Sequence, residues 1–375
     1  MNFFVTTCIA AFTALPCLWD SDTLDTELRG LPDSFDLVVG RWHRHSDAYY
    51  EDRVAKLGSR TDLALADFDD LAVAYEHLGR RDEAIATMAR KADALAASPD
   101  SEHQYRYHAN LGTFYAHAGR FDEALTELRT AVKINPDAHF GRERYQIEAI
   151  EYVAAAQQDP EIWRRRSFLR HAGYDLHLFL ASDGLELGEY DSDEDRKRDW
   201  QGERKLDWEE AHMAVAGMLR FGGLEGAELY RSLGELYLSH QHLNLAWWAF
   251  GRAIERGHPA ADVLREAQKS IESHWAEASE TLHVPLIHPT AEEYAAERAK
   301  ADRWLAAFQK AEAAAVAQGA DVTSDAALKT LLAQADSAVP PAPQAPAQGG
   351  TLRNFSLLIA SSLALLILAY MWKRS

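Results

Sequence analysis

Cysteine is almost missing from this chain. Cys8 and Cys17 are the only two in 375 residues, and both sit in the first apolar stretch. The rest of the chain therefore has no disulfide framework, no cysteine-ligated zinc site and no cysteine nucleophile. Basic residues are also in deficit: 39 Lys and Arg face 58 Asp and Glu, giving a net charge of −19. Such a chain repels phosphates, so nucleic acid is not an expected partner. Long runs of sheet-forming residues are lacking, which points away from β architectures. There is no His-Glu-x-x-His helix, haem-attachment motif, Gly-x-Ser-x-Gly elbow, phosphate loop or dinucleotide fingerprint. No metal or other cofactor is expected. The closest histidine pairs, His43/His45 and His240/His242, are two residues apart. On a helix such residues point roughly 200° away from each other and cannot chelate.

What is present begins at the two ends. Residues 1–18 hold a short apolar run, followed at once by the acidic Trp19-Asp20-Ser21-Asp22. The run has the length of a secretory signal core and is short for a membrane span. The expectation is a cleaved signal, with a retained anchor or lipid attachment at Cys17 as alternatives. Asp20, Asp22 and Asp25 are read as capping and solvating groups rather than a cation site. At the far end, Asn354 to Trp372 carry no charge, Tyr370 and Trp372 mark the trailing edge, and Lys373-Arg374 follow. This reads as a transmembrane helix over 354–372 with a short basic tail at 373–375, its C-terminus cytoplasmic by the positive-inside rule. The Pro/Ala-rich residues 336–353 form a linker, whose proline-rich core would hold the body about 30–40 Å from the bilayer.

The centre of the chain is the stretch Tyr105 to Pro136. Leu111, Gly112, Tyr115, Gly119, Ala124, Leu128, Ala131 and Pro136 are spaced as a helix–turn–helix of about 34 residues requires. The same pattern recurs 40 residues earlier in Phe68, Leu71, Ala72, Tyr75, Gly79, Ala84 and Met88. There Lys91 takes the place of a late small residue and Pro99 comes late, so the second helix is expected to run one turn long. A third copy reads Tyr230, Leu233, Gly234, Tyr237, Ala246, Phe250 and Ala253, with Gln241 in place of the turn glycine. These motifs resemble the tetratricopeptide repeat (TPR), over about 100 of the 375 residues.

The resemblance implies an all-α, TPR-type helix–turn–helix solenoid whose first helices line an inner groove for peptides or partner helices. The groove candidates are Asp69, Val73 and His77 in the first copy, Arg106, Asn110, Thr113 and His117 in the second, and Arg231 and Glu235 in the third. Asp70, Glu76, Ala109, Glu228 and Ser232 share those faces. The chaperone-type clamp for a terminal carboxylate needs a Lys and an Asn where Asp69 and Val73 stand. A neutral or basic protein partner therefore suits this groove better than an acidic tail.

The chain then divides into an N-terminal helical segment (19–60), two repeats (61–136), an irregular helical region (137–226), a third repeat (227–260) and C-terminal helices (261–335). The irregular region is expected to hold a helix over 142–158, a second with Trp163, Phe168 and Leu169, and a charged loop over 183–205. Asp191 to Asp195 starts like a calcium loop, but Arg196 and Gly202 replace residues the loop needs. Arg164, Arg165, Arg166 and Arg170 form a basic cluster, read as a solvated or internally paired face or as a dock for acidic partners. The two long helices expected after Pro259 would cap the solenoid or form a stalk. The layout resembles exported, membrane-anchored bacterial TPR proteins. The expected function is non-catalytic scaffolding or assembly at the cell envelope, with the body on the non-cytoplasmic side. The alternative is an envelope hydrolase using His and Asp residues of 141–226.

Overall fold

The turns of the three copies set the fold. Gly79, Gly119 and Gln241 all adopt left-handed backbone angles, with φ of 73°, 74° and 61°. Glycine holds this conformation without steric cost, whereas a side chain there costs roughly 1–2 kcal/mol. Gln241→Gly is therefore expected to stabilise the fold by about 0.5–1 kcal/mol, after allowing for glycine's greater freedom in the unfolded chain. A urea midpoint that does not rise would contradict this.

A computed structural model describes residues 18–23, 31–136, 141–176, 204–222, 226–283, 285–286 and 288–339. The expected signal segment over its first 17 residues, Asp25, the loop over 183–203 with its Asp191–Asp195 run, and the span 354–372 lie outside them. Among the described residues no helix is long and apolar enough to cross a membrane.

Among the described residues the regular structure is helical apart from one two-residue strand pair. Asp20 caps a single turn at 21–23, accepting from the Thr23 amide at 2.8 Å. Helices α1 (Ser34–Val39) and α2 (Asp47–Gly58) start at the caps Asp33 and Ser46. The first repeat pair is α3 (Leu65–His77) and α4 (Arg81–Ala97), and the second is α5 (Ser101–His117) and α6 (Phe121–Ile134). Helix α4 has 17 residues against 14 in α6, close to one extra turn. Next come α7 (Arg142–Gln158), α8 (Ile162–Arg165) and α9 (Phe168–His171). Strands β1 (Tyr174–Asp175) and β2 (Arg204–Lys205) pair in parallel, Tyr174 opposite Arg204. Then follow α10 (Trp208–Phe221), α11 (Ala227–Ser239), α12 (Leu243–Glu255), α13 (Ala261–Leu282), α14 (Ala291–Ala317) and α15 (Asp325–Ala338).

Pair packing follows side-chain size. A Cβ on Gly112 would lie 2.7 Å from Leu128 Cγ, and one on Gly234 would lie 2.5 Å from the Phe250 ring. The first copy has Ala72 opposite Met88, both fully buried. Each pair thus fits a small residue on one helix to a large one on the other, as close-packed interiors require.

Three findings differ from the sequence expectation. The single helix expected around Trp163 is two one-turn helices, because Arg166 is extended and Ser167 caps a new start. A further helix, α15, follows the two long C-terminal ones and runs to Ala338, three residues into the stretch read as linker. Helix α13 packs on α12, the last helix of the third copy, as an end cap would, whereas α14 is not a stalk. Helix α14 returns to pack on α2 and α1, and α1 packs on α12, so the solenoid closes on itself. Tyr49, Tyr50 and Ala74 share a core there with Trp304, Phe308, Leu331 and Ala335.

Candidate functional site: a self-occupied groove

Residues 69, 73 and 77 of α3, and 106, 110, 113 and 117 of α5, recur at three- and four-residue steps and so share one helix face each. These faces meet the chain's own residues 18–23. The Trp19 amide donates to Asn110 Oδ1 at 2.7 Å, and Asn110 Nδ2 donates back to the Trp19 carbonyl at 2.9 Å. A side-chain amide offers one acceptor and two donors, so it can satisfy both polar groups of a peptide unit. Ser21 donates from its amide and its hydroxyl to the two oxygens of Asp70, at 2.8 and 3.0 Å. Leu18 is buried among Ala72, Val73, Leu111 and Phe114. The Trp19 ring stands edge-on to Tyr105 with centroids 5.4 Å apart, and the Arg106 guanidinium lies over it.

Beneath this strap lies a layer of buried ions. Lys91 Nζ donates to both Asp69 oxygens at 2.6 Å, and Asn110 Nδ2 reaches Asp69 Oδ1 at 3.1 Å. Burial brings the Lys91 ammonium below its usual range despite the Asp69 charge. Glu76 meets His117 Nδ1 at 2.6 Å and accepts from Arg81 Nε at 3.1 Å. Burial alone would raise the Glu76 pKa, but its partners His117 and Arg81 outweigh that and lower it. Thr113 accepts from Gln146 at 3.0 Å. His77 stacks on Tyr50, ring centroids 4.2 Å apart and 8° from parallel.

The family model described as Tetratricopeptide repeat matches residues 105–138, which cover most of α5, all of α6 and the turn beyond. The chain carries a tetratricopeptide repeat. No curated protein matches the chain. A TPR points to protein–protein interaction, and in this one the groove face is already in use. Asp69, Val73, Asn110, Thr113 and His117 are buried, while Arg106 and His77 keep part of their surface. The repeat pattern shows which positions face inward, but not what covers them.

Arg231 and Glu235, in the third copy, are also buried, and for a different reason. Arg231 bonds Glu235 at 3.1 Å and donates to the Trp163 carbonyl, while Glu235 accepts from Ser167 at 2.5 Å. Beside them Glu228 accepts from the Phe168 amide at 2.8 Å and Ser232 at 3.1 Å, and lies 2.9 Å from His258 Nε2. The Ala260 amide donates to His258 Nδ1, so Nε2 carries the proton shared with Glu228. This face holds the irregular segment 162–171 in place of an external ligand. The basic cluster is likewise drawn into internal pairs: Arg164 with Asp262 at 2.9 Å, and Arg165 with Asp159 at 3.3 Å.

Of the residues behind the hydrolase alternative, His171 packs edge-on to Tyr152 and His212 stacks on Trp208. Asp159 is taken up by Arg165, and Asp207 caps α10. Among the described residues no group of three His, Cys, Asp or Glu could hold a metal ion.

Lys91 (which holds Asp69), Tyr49 and Arg53 (which hold Asp22 and Asp20) and Glu312 (which accepts from the Ser46 amide) were not among the sequence candidates. Lys91 was legible as a cation at a small-residue position, facing the acidic Asp69 of the paired helix. The others come from outside the repeats, where no pattern marks them.

His77 gives a pH signature. Burial, with the nearby His45 charge, lowers its pKa from 6.5 to about 4. Unfolded chain takes up this proton near pH 6.5 and folded chain only near 4, so His77 destabilises the fold as pH falls through that window. The expected loss by pH 4 is on the order of 2–3 kcal/mol. Asp20 acts in the opposite direction: burial and Asp22 raise it to about 6, so its proton uptake favours the fold between pH 6 and 4. The measurement is therefore a difference. Wild type should lose stability relative to His77→Phe between pH 6.5 and 4, and parallel curves would refute the assignment.

Proposed function

We propose that this protein is a membrane-anchored interaction scaffold, or assembly factor, of the cell envelope. Its TPR captures an extended segment of a protein partner, which must displace the chain's own residues 18–23. The observation carrying this reading is the two-way hydrogen bond between Asn110 and the Trp19 backbone. It ties the groove to main-chain atoms, which any extended peptide can offer, with Asp70 and Leu111 nearby to select side chains. The anchor is supported by the uncharged run 354–372 and the basic Lys373-Arg374 behind it. No catalytic step is part of this reading.

The test uses a full-length variant with its strap weakened, Leu18→Gly with Trp19→Gly, and a labelled peptide of sequence LWDSDT. The peptide should bind the variant, and adding Asn110→Ala should weaken binding about 10–100-fold, the worth of two buried hydrogen bonds. Equal binding with and without Asn110 would remove the groove from the reading. A reporter fused after Ser375 should be active in the cytoplasm. Activity on the far side would overturn the orientation.

A further inference from the structure

Next to the strap lies a partly open cavity of about 220 Å³. Six parts of the chain meet there: the strap, the loop before α2, Asp47 and Tyr50 of α2, His77 of α3, the end of α10 and Gln309 of α14. The two sides of its lining carry opposite charge. On one, Asp20 and Asp22 both pair with Arg53 at 2.9 Å, and Tyr49 also donates to Asp22 at 2.7 Å. With Asp70 close by, three carboxylates share one guanidinium, His45 at 3.7 Å from Asp22 being the other group there that can carry positive charge, and burial together with Asp22 drives Asp20 to about 6. That side is short of positive charge.

The other side carries Arg220 and Arg44. Arg220, at the end of α10, donates to His43 Nε2 at 3.1 Å and lies over the Phe221 ring. No carboxylate of the described residues comes within ion-pair distance of it. Arg44 lines the same cavity, its guanidinium over Trp42. Burial and the Arg44 charge bring Arg220 down to about 10. Arg220 is half-buried; a partly desolvated cation without a counter-ion is costly, and a perturbed charged group in a cleft marks a candidate ligand site.

We propose that this cavity binds a small zwitterion of the free amino acid class, its carboxylate on Arg220 and Arg44 and its ammonium on Asp20 and Asp22. Guanidinium groups match carboxylate geometry, and paired carboxylates suit an ammonium group. The volume falls below the roughly 300–1,000 Å³ of pockets for larger ligands, which selects a compact molecule. An anion alone would leave the acidic side uncompensated, and a cation alone would leave Arg220 so.

The test is calorimetric titration of the purified full-length protein with each free amino acid, and with acetate, ethylammonium and inorganic phosphate. At least one amino acid should saturate a single site, while the singly charged fragments and phosphate bind at least tenfold more weakly. Arg220→Met should weaken that amino acid about tenfold or more, and Arg220→Lys, which keeps the charge, should weaken it less. Thermal melts of both variants report whether the fold is intact. Three results would each overturn the site: no saturation by any amino acid up to about 10 mM, acetate or phosphate binding as tightly, or unchanged affinity in a folded Arg220→Met.

Discussion

Replacing Lys91 by methionine is expected to lower stability by about 3–5 kcal/mol, far more than a surface lysine would cost. The side chain is fully buried, and its ammonium is bound to both oxygens of an equally buried Asp69. Methionine fills similar space but strands the carboxylate, which among the described residues keeps only Asn110 at 3.1 Å and His103 at 3.7 Å. Removing both partners, as Lys91→Met with Asp69→Leu, should recover most of the loss, because a matched apolar pair avoids the desolvation of two ions. Urea denaturation of the two single variants and the double variant gives the coupling directly. A single-variant cost under about 1 kcal/mol would show that the pair is not desolvated as described.

Glu228→Ala should have a similar effect, about 3–5 kcal/mol, through the third copy. Its carboxylate accepts from the Phe168 amide and Ser232 and meets His258. Alanine leaves these groups buried without their partner. The local signature distinguishes this loss from general weakening: amides of 162–171 should exchange faster, while those of α5 and α6 keep their protection. Uniform acceleration across the chain would mean that Glu228 does not specifically hold that segment. Glu228→Gln keeps the shape and one acceptor and should cost less.

Both residues mark the boundary of what the sequence could tell. The packing positions, Leu111 and Gly112 against Ala124 and Leu128, repeat at local helical spacing and were readable without a structure. So were the caps Asp33 and Ser46 and the long α4. Helix α15 was readable too, from Ser324 and the spacing of Leu328, Leu331, Leu332 and Ala335, but the adjoining prolines drew the linker boundary too early. The strap was not readable. Trp19 and Asn110 are 91 residues apart, and no local pattern announces that an acidic segment after an apolar run will lie in a groove. Inner-face polar residues in a repeat look the same whether they await a partner or already hold one. Nor does periodicity reveal that α14 returns to α2.

That return changes how the molecule should come apart. A linear stack of repeats has two free ends, and its terminal units fray first, since each is held by one neighbour. Here the first long helix and α14 are fastened to each other, with Glu312 of α14 accepting from the Ser46 amide and hydroxyl at 2.6 and 2.8 Å. Neither end can peel away without breaking this clasp, so unfolding should be one cooperative transition rather than a series of partial ones.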